Sequence, residues 1–162
     1  MHAVSLPYAV LDIDGVVADV RHRLEHIEKR PKDWASFFAG AVDDPVLADG
    51  VWLAERLSRR HDIVWLTGRP AHLKRATTAW LEAAGLPVPR LLMRRRGDFR
   101  PAAVTKLEVL RQLATDREVR VLVDDDPAVV RAVQAGGFAV LHADWVPHRA
   151  ALREAQEREG RT

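Results

Sequence analysis

Five short runs rich in Val, Ile and Leu alternate with longer segments whose apolar residues recur at helical spacing, and this alternation constrains the chain more than any other feature. The runs are Tyr8 to Ile13, Ile63 to Leu66, Leu91 to Met93, Val119 to Val123 and Phe138 to Leu141. Between them, Val51 to Arg60, Ala71 to Ala84, Ala102 to Thr115 and Pro127 to Ala135 read as helices, with a last helix from Pro147 to Arg158. Gly85 and Gly136 stand where helices should stop. Strands that alternate with helices predict an α/β fold, a parallel sheet of about five strands flanked by helices. No repeat, low-complexity tract or Pro/Gly/Ser linker divides the 162 residues, so one domain over 1–162 is expected.

Composition removes several classes. An apolar fraction of 48% and a charged fraction of 30% are enough for a core and too balanced in sign for a disordered chain. No stretch approaches the roughly 18 uninterrupted apolar residues of a membrane helix. The start, MHAVSLPYAVLDIDG, has no basic stretch followed by a hydrophobic leader, so a soluble, cytoplasmic protein is expected. With no cysteine, disulfides and thiolate chemistry are excluded, and any metal must sit on carboxylates or histidines. A net charge of +2 does not by itself mark a nucleic-acid binder. All but four of the 25 basic residues are arginines, and the local run Arg94-Arg95-Arg96 says more than the total.

Three of the expected strands end in chemically loaded residues: Asp12-Ile13-Asp14-Gly15, Thr67-Gly68-Arg69 and Asp124-Asp125-Asp126. The carboxyl ends of parallel strands line one crevice, so these groups should converge. Neighbouring carboxylates repel unless a cation lies between them, and Asp12, Asp14, Asp124 and Asp125 make an oxygen-rich site suited to Mg2+, with Mn2+ as the alternative. Asp12 is placed to attack phosphorus and form an aspartyl-phosphate. Asp14 is placed to protonate the leaving oxygen and then to deprotonate the hydrolytic water. Thr67 and the amide of Gly68 face the phosphoryl oxygens, and Lys106 offers a positive charge. Singly, Asp-x-Asp-Gly is a turn or a calcium loop, Thr-Gly-Arg a turn, and Lys106 a solvated helix residue. Their joint placement at strand ends, in this order, carries the reading.

So assembled, the chain resembles the haloacid dehalogenase (HAD) superfamily of aspartate-nucleophile phosphatases. Asp12 and Asp14 match its first motif, Thr67 its second, Lys106 its third and Asp124-Asp125 its fourth. The resemblance implies a Rossmann-like sheet, magnesium and phosphoryl transfer through Asp12. Val16 stands where Thr is common, and Asp126 adds an acid outside the motif. Within the superfamily, the chain is similar to the 3′-phosphatase domain of phage-type polynucleotide kinase/phosphatase. Arg23, Arg69, and Arg94-Arg95-Arg96-Gly97-Asp98-x-Arg100 followed by Val104-x-Lys106 carry that likeness. It adds Arg23, Arg69 and Asp98 to the substrate-binding set, although Pro101 stands where a basic residue is common.

Length bears on the substrate. After the helix that feeds the second strand, only Asp19 to Asp44 remains for an insertion, enough for one or two short helices and too little for a cap domain. An open site that admits large substrates is therefore expected. Trp34, Phe37 and Phe38 at helical spacing read as the apolar underside of this insertion rather than as base-stacking platforms. His22 and His26 lack the further ligands of a zinc site. No G-x-x-x-x-G-K-[ST] occurs, so a 5′-kinase activity would need another polypeptide, a separate kinase or ligase partner. The expected function is a magnesium-dependent phosphomonoesterase acting on nucleic-acid 3′-phosphate ends. The alternatives are a nucleotide or other small-molecule monophosphatase, and a weakly catalytic module that binds phosphorylated ends.

Overall fold

The structure is a computed structural model describing residues 5–162; residues 1–4, where the expectation about a leader begins, lie outside the described residues. Strand β1 (Tyr8–Leu11) is buried at every position, as befits a central parallel strand covered by helices on both faces. The insertion follows as a 3-10 turn at Arg21–Arg23, α1 (Glu25–Glu28), α2 (Trp34–Ala39) and a second 3-10 turn at Gly40–Asp43. Then come α3 (Ala48–Ser58), β2 (Asp62–Pro70), α4 (Lys74–Ala83), β3 (Leu91–Arg94), α5 (Ala102–Asp116) and β4 (Val119–Asp124). The chain continues through α6 (Pro127–Ala135), β5 (Val140–His142) and α7 (Ala150–Glu157). The strands form one sheet in the order β3-β2-β1-β4-β5, every pair parallel.

Strand alternation sorts the core into two layers. Ala9 and Leu11 of β1 with Ile63 and Trp65 of β2 pack against Ala54 of α3 and Leu81 of α4. Tyr8 and Val10 with Val64 and Leu66 face Leu110 and Leu113 of α5 and Val129 and Val133 of α6. A third cluster sits beyond the sheet, where Val20, Leu24, Ile27 and Phe37 of the insertion meet Leu152 and Ala155 of α7. Phe37 is buried there, and Trp34 and Phe38 pack against it half-buried, as an apolar underside requires. The order turns back at β1, which has β2 on one side and β4 on the other. That switch point opens the crevice into which the strand ends project.

All five expected strands are present, with bounds moved by tertiary bonding. Asp12 N–H still donates to Val123 O at 3.0 Å, but β1 stops at Leu11 because the Ile13 carbonyl accepts from the N–H groups of Val16, Val17 and Ala18 and turns the chain. β2 runs past Leu66 to Pro70, because its pairing with β3 resumes across an irregularity between Thr67 and Pro70. β5 begins at Val140, since Phe138 N–H still closes the end of α6 on Val133 O. Gly136 does not supply the left-handed residue at that end. Gly137 does, at φ +88, while a Cβ on Gly136 would stand 2.6 Å from Leu107 Cδ1. Among the described residues no helix is long and apolar enough to cross a membrane.

Candidate active site

Asp12, just past β1, and Asp124, the last residue of β4, flank the switch point. Lys106, from the first turns of α5, reaches between them, with Nζ 2.8 Å from Asp12 Oδ2 and 2.6 Å from Asp124 Oδ2. All three are buried. Asp12, Asp124 and Asp125 each present an oxygen within 4.8 Å of the others. Burial pushes Asp12 up to about 7, with Asp124 and Asp14 adding to the rise and Lys106 opposing it. Burial, with Asp124 and Asp12, holds Asp125 well above the usual carboxylate range. Asp125 Oδ1 is buried without a hydrogen-bond partner among the described residues. Hard oxygen donors, excess negative charge and an unpaired buried oxygen fit a divalent cation such as Mg2+. Asp126 is occupied otherwise: it caps α6, accepting from Ala128 N–H at 2.8 Å.

Gly15 keeps this turn close-packed. Its φ is +76, and a Cβ there would stand 2.1 Å from Asp125 Oδ2, so two acidic strand ends approach only because the residue has no side chain.

The carboxylate of Asp14 is engaged by arginines. Its Oδ1 accepts from Arg69 Nη2 at 2.6 Å, Arg69 Nε at 2.9 Å and Arg23 Nη2 at 3.2 Å. Burial alone would raise Asp14, but Arg69 and Arg23, helped by a hydrogen bond from Thr162, bring it down to about 2. Behind the arginines lies Asp44, which accepts from Arg23 Nε at 2.8 Å and from Arg23 Nη2 and Arg69 Nη2 at 2.9 Å. Two guanidinium groups and two carboxylates thus neutralise one another in the interior, as buried charges must. Arg69, which the resemblance adds to the substrate-binding set, is 1% exposed and spends its guanidinium on Asp14 and Asp44.

At the end of β2, Thr67 Oγ1 accepts from Arg69 N–H at 3.1 Å. Thr67, Gly68, Asp98 and Lys106 line one pocket. The Arg94-Arg95-Arg96 run splits: Arg94 is buried and braces the following loop, donating to Gly68 O, Asp98 O and Arg100 O, whereas Arg95 and Arg96 are exposed. Asp98 accepts from Arg100 Nη2 at 2.8 Å, which brings its carboxyl down to about 2.

Thr162 also lies in the site. Its Oγ1 donates to Asp14 Oδ2 at 3.1 Å, and a Cβ on Gly68 would stand 2.0 Å from the Thr162 carbonyl carbon. Asp12 and Asp14 are only 2% exposed, so among the described residues the site is less open at its carboxylates than the short insertion led one to expect. Sequence reasoning brought together Asp12, Asp14, Thr67, Lys106, Asp124 and Asp125 but missed Asp44, the brace at Arg94, and Thr162. Asp44 carries no signal in the sequence, because the two buried arginines that call for a second carboxylate are seen to be buried only in the fold.

The switch-point crevice thus brings together the strand-end Asp-x-Asp, the Thr-Gly, the helix-borne lysine and the acid pair that the likeness to HAD phosphatases implies, and the family match makes the chain a hydrolase of the HAD phosphatase type. Residues 7–145 match the family described as the polynucleotide kinase PNKP phosphatase domain, and the chain belongs to that family. Among solved structures it is similar to one described as "Structure of Pnkp1/Rnl/Hen1 complex", at 19% identity and a TM-score of 0.70, covering 86% of this chain and 47% of that one. It is also similar to the class C acid phosphatase of Bacillus anthracis, at 17% identity and a TM-score of 0.62, covering 90% of this chain and 70% of that one. A haloacid dehalogenase-like hydrolase of Streptococcus pneumoniae shares the fold at 12% identity and a TM-score of 0.63, covering 96% and 93%. The chain spans about half the length of the Pnkp1 complex chains it matches. No curated protein matches it in sequence.

Proposed function

We propose that this chain is a single-domain, magnesium-dependent phosphomonoesterase that removes 3′-phosphates from nucleic-acid ends through an aspartyl-phosphate on Asp12. The observation that carries the reading is Asp12 itself, a buried carboxylate 2.8 Å from Lys106 and beside two further acids, in a chain of the PNKP phosphatase family. Asp12, Asp124 and Asp125 would hold the cation, which supplies charge neutralisation at the phosphoryl oxygens.

Asp12 attacks phosphorus in line with the ester oxygen, forming its own bond to phosphorus as the ester bond breaks. Lys106, Thr67 and Gly68 stabilise the transferring oxygens. Asp14 is held as an anion, so the proton for the leaving alcohol arrives on the substrate monoanion, whose second pKa is about 6, and Asp14 relays it. In the second half Asp14 takes a proton from the attacking water, phosphate departs and Asp12 is restored. Arg23, Arg69 and Asp44 position Asp14. Asp98 orders the loop at the edge of the pocket, beside the substrate.

The similarity to proteins of a Pnkp1/Rnl/Hen1 RNA repair complex supports a separate kinase or ligase polypeptide as partner. A panel of 3′-phosphorylated oligonucleotides, mononucleotides and sugar phosphates, read as phosphate release with Mg2+, tests the function. Oligonucleotides should give the highest kcat/KM. Equal or better turnover of sugar phosphates overturns the reading.

A further inference from the structure

The residues from Gly160 to Thr162 are fitted into the crevice rather than draped over it. Arg161 N–H donates to Ala155 O at 2.9 Å, anchoring the segment to α7. Lys32 of the insertion pairs with Glu154 and Glu159 on either side of that anchor. Gly160, at φ +57, passes so close to Phe99 that a Cβ would stand 2.1 Å from its carbonyl oxygen. Beyond this anchor the segment places two different groups. Thr162 sets its hydroxyl on Asp14 and its backbone over Gly68. The Arg161 guanidinium lies 4.9 Å from the Phe99 ring centroid and 5.2 Å from that of Trp34.

These positions match the needs of a nucleotide. A small polar group sits among the residues that would meet a phosphoryl group, and a planar group sits one residue away against two aromatic rings. Phe99 is 55% exposed, a large solvent cost for an aromatic ring that has no core to complete. It borders a cleft of about 470 Å³ shared with Phe38, His72, Arg95, Arg96 and Arg161. Arg94, 8% exposed, leaves its Nη2 in the same wall without a partner among the described residues. Aromatic faces with cationic groups around them bind bases by stacking and the adjoining backbone by charge.

We propose that Arg161 and Thr162 occupy the site of the substrate's terminal nucleotide in the free protein, Thr162 in the phosphoryl position and Arg161 in the base position. Phe99 then forms the base-stacking face of the cleft, and substrate enters by displacing the segment. The proposal deepens the nucleic-acid reading above and rests on it for the identity of the ligand.

The test measures dissociation constants by calorimetry in an Asp12→Asn background, which binds without turnover. The ligands are adenosine 3′-phosphate and, as the base-free comparison, glycerol 2-phosphate, each with Mg2+. Phe99→Ala should weaken adenosine 3′-phosphate about tenfold relative to glycerol 2-phosphate, and Phe99→Trp should restore the ratio. Arg161→Ala should act in the opposite direction, tightening the nucleotide roughly threefold or more, because a self-occupied site lowers apparent affinity by the fraction that is free. A residue that merely supported the loop would weaken binding when removed. Equal shifts for the two ligands in Phe99→Ala, unchanged or weaker nucleotide binding in Arg161→Ala, or no nucleotide binding in any variant overturns the proposal. Failure of the wild-type protein to hydrolyse 3′-phosphorylated oligonucleotides overturns the proposed function instead, and the stacking face is still judged by these ratios.

Discussion

Asp44 Oδ2 stands 2.9 Å from Arg69 Nη2, the nitrogen that also meets Asp14 at 2.6 Å. The guanidinium that aims at the proposed proton-transfer residue is therefore held from behind by an acid at the end of the insertion. With Arg23 bridging the same two carboxylates, the insertion fixes the site from within rather than roofing it.

Asp44→Asn should destabilise the protein by about 3 kcal/mol, because it leaves two buried guanidinium groups facing one carboxylate. Urea unfolding followed by far-UV circular dichroism measures the loss. Activity should fall as well, through misplacement of Asp14. An unchanged midpoint would show that Arg23 and Arg69 are neutralised by something other than Asp44.

The same network sets an acid limit. Asp14 sits at about 2 in the folded chain, where burial opposes and Arg69 and Arg23 prevail, against about 3.9 for an unfolded aspartate. A folded value below the unfolded one gives stability that is present above about pH 4 and lost as pH falls towards 2. The stability difference between the wild-type protein and Asp14→Asn should thus shrink as pH falls below about 4. A difference that grows on acidification would contradict the ion pairing seen at Asp14.

How much of this was legible in the sequence depended on how local the cause was. The bounds of α6 follow from Asp126 at the N-cap and Pro127 in the first turn, and they fall where the sequence places them. Asp12 and Asp124 could be paired from the sequence because parallel strand ends must share one crevice. The overrun of β2 to Pro70 depends on β3 across an irregularity, a pairing that no window around Ile63 contains. Asp44 escaped because its partners Arg23 and Arg69 lie on either side of it in the chain and meet it only in the fold. The Arg94-Arg95-Arg96 run reads as one cluster in the sequence, yet β3 turns Arg94 inward against the Gly68 carbonyl and leaves its two neighbours in solvent. Phe99 gave no signal, since a lone aromatic in Gly-Asp-x-Arg acquires meaning only when Arg161 is seen against it.

Asp12→Asn should abolish phosphate release while leaving the circular dichroism spectrum unchanged, because an amide keeps the shape and loses the nucleophile. Excess chelator should likewise abolish the wild-type activity. Added Mg2+ should raise the wild-type Tm, by mass action on a site that the unfolded chain lacks. Asp125→Asn should remove most of that rise, since Asp125 supplies the unpaired buried oxygen. A Tm indifferent to Mg2+ in the wild-type protein would rule out the cluster of Asp12, Asp124 and Asp125 as a cation site.

The split within the arginine run separates two causes of lost activity. Arg94 donates to three carbonyls that shape the loop from Gly68 to Arg100, so Arg94→Ala should lower Tm and reduce kcat/KM for every phosphomonoester alike. Arg95 and Arg96 are exposed and line the cleft with Phe99, where they can meet phosphates beyond the one being removed. Each phosphate contact steepens the salt dependence of binding by about one unit of slope. The Arg95→Ala/Arg96→Ala double variant should therefore keep the wild-type Tm and its kcat/KM for a 3′-mononucleotide. Its kcat/KM for a short 3′-phosphorylated oligonucleotide should fall, with a salt slope shallower by up to about two. Steady-state kinetics over a range of NaCl concentrations decide the matter. If the two substrates respond alike, these arginines are solvated surface and the neighbouring phosphates are not read there.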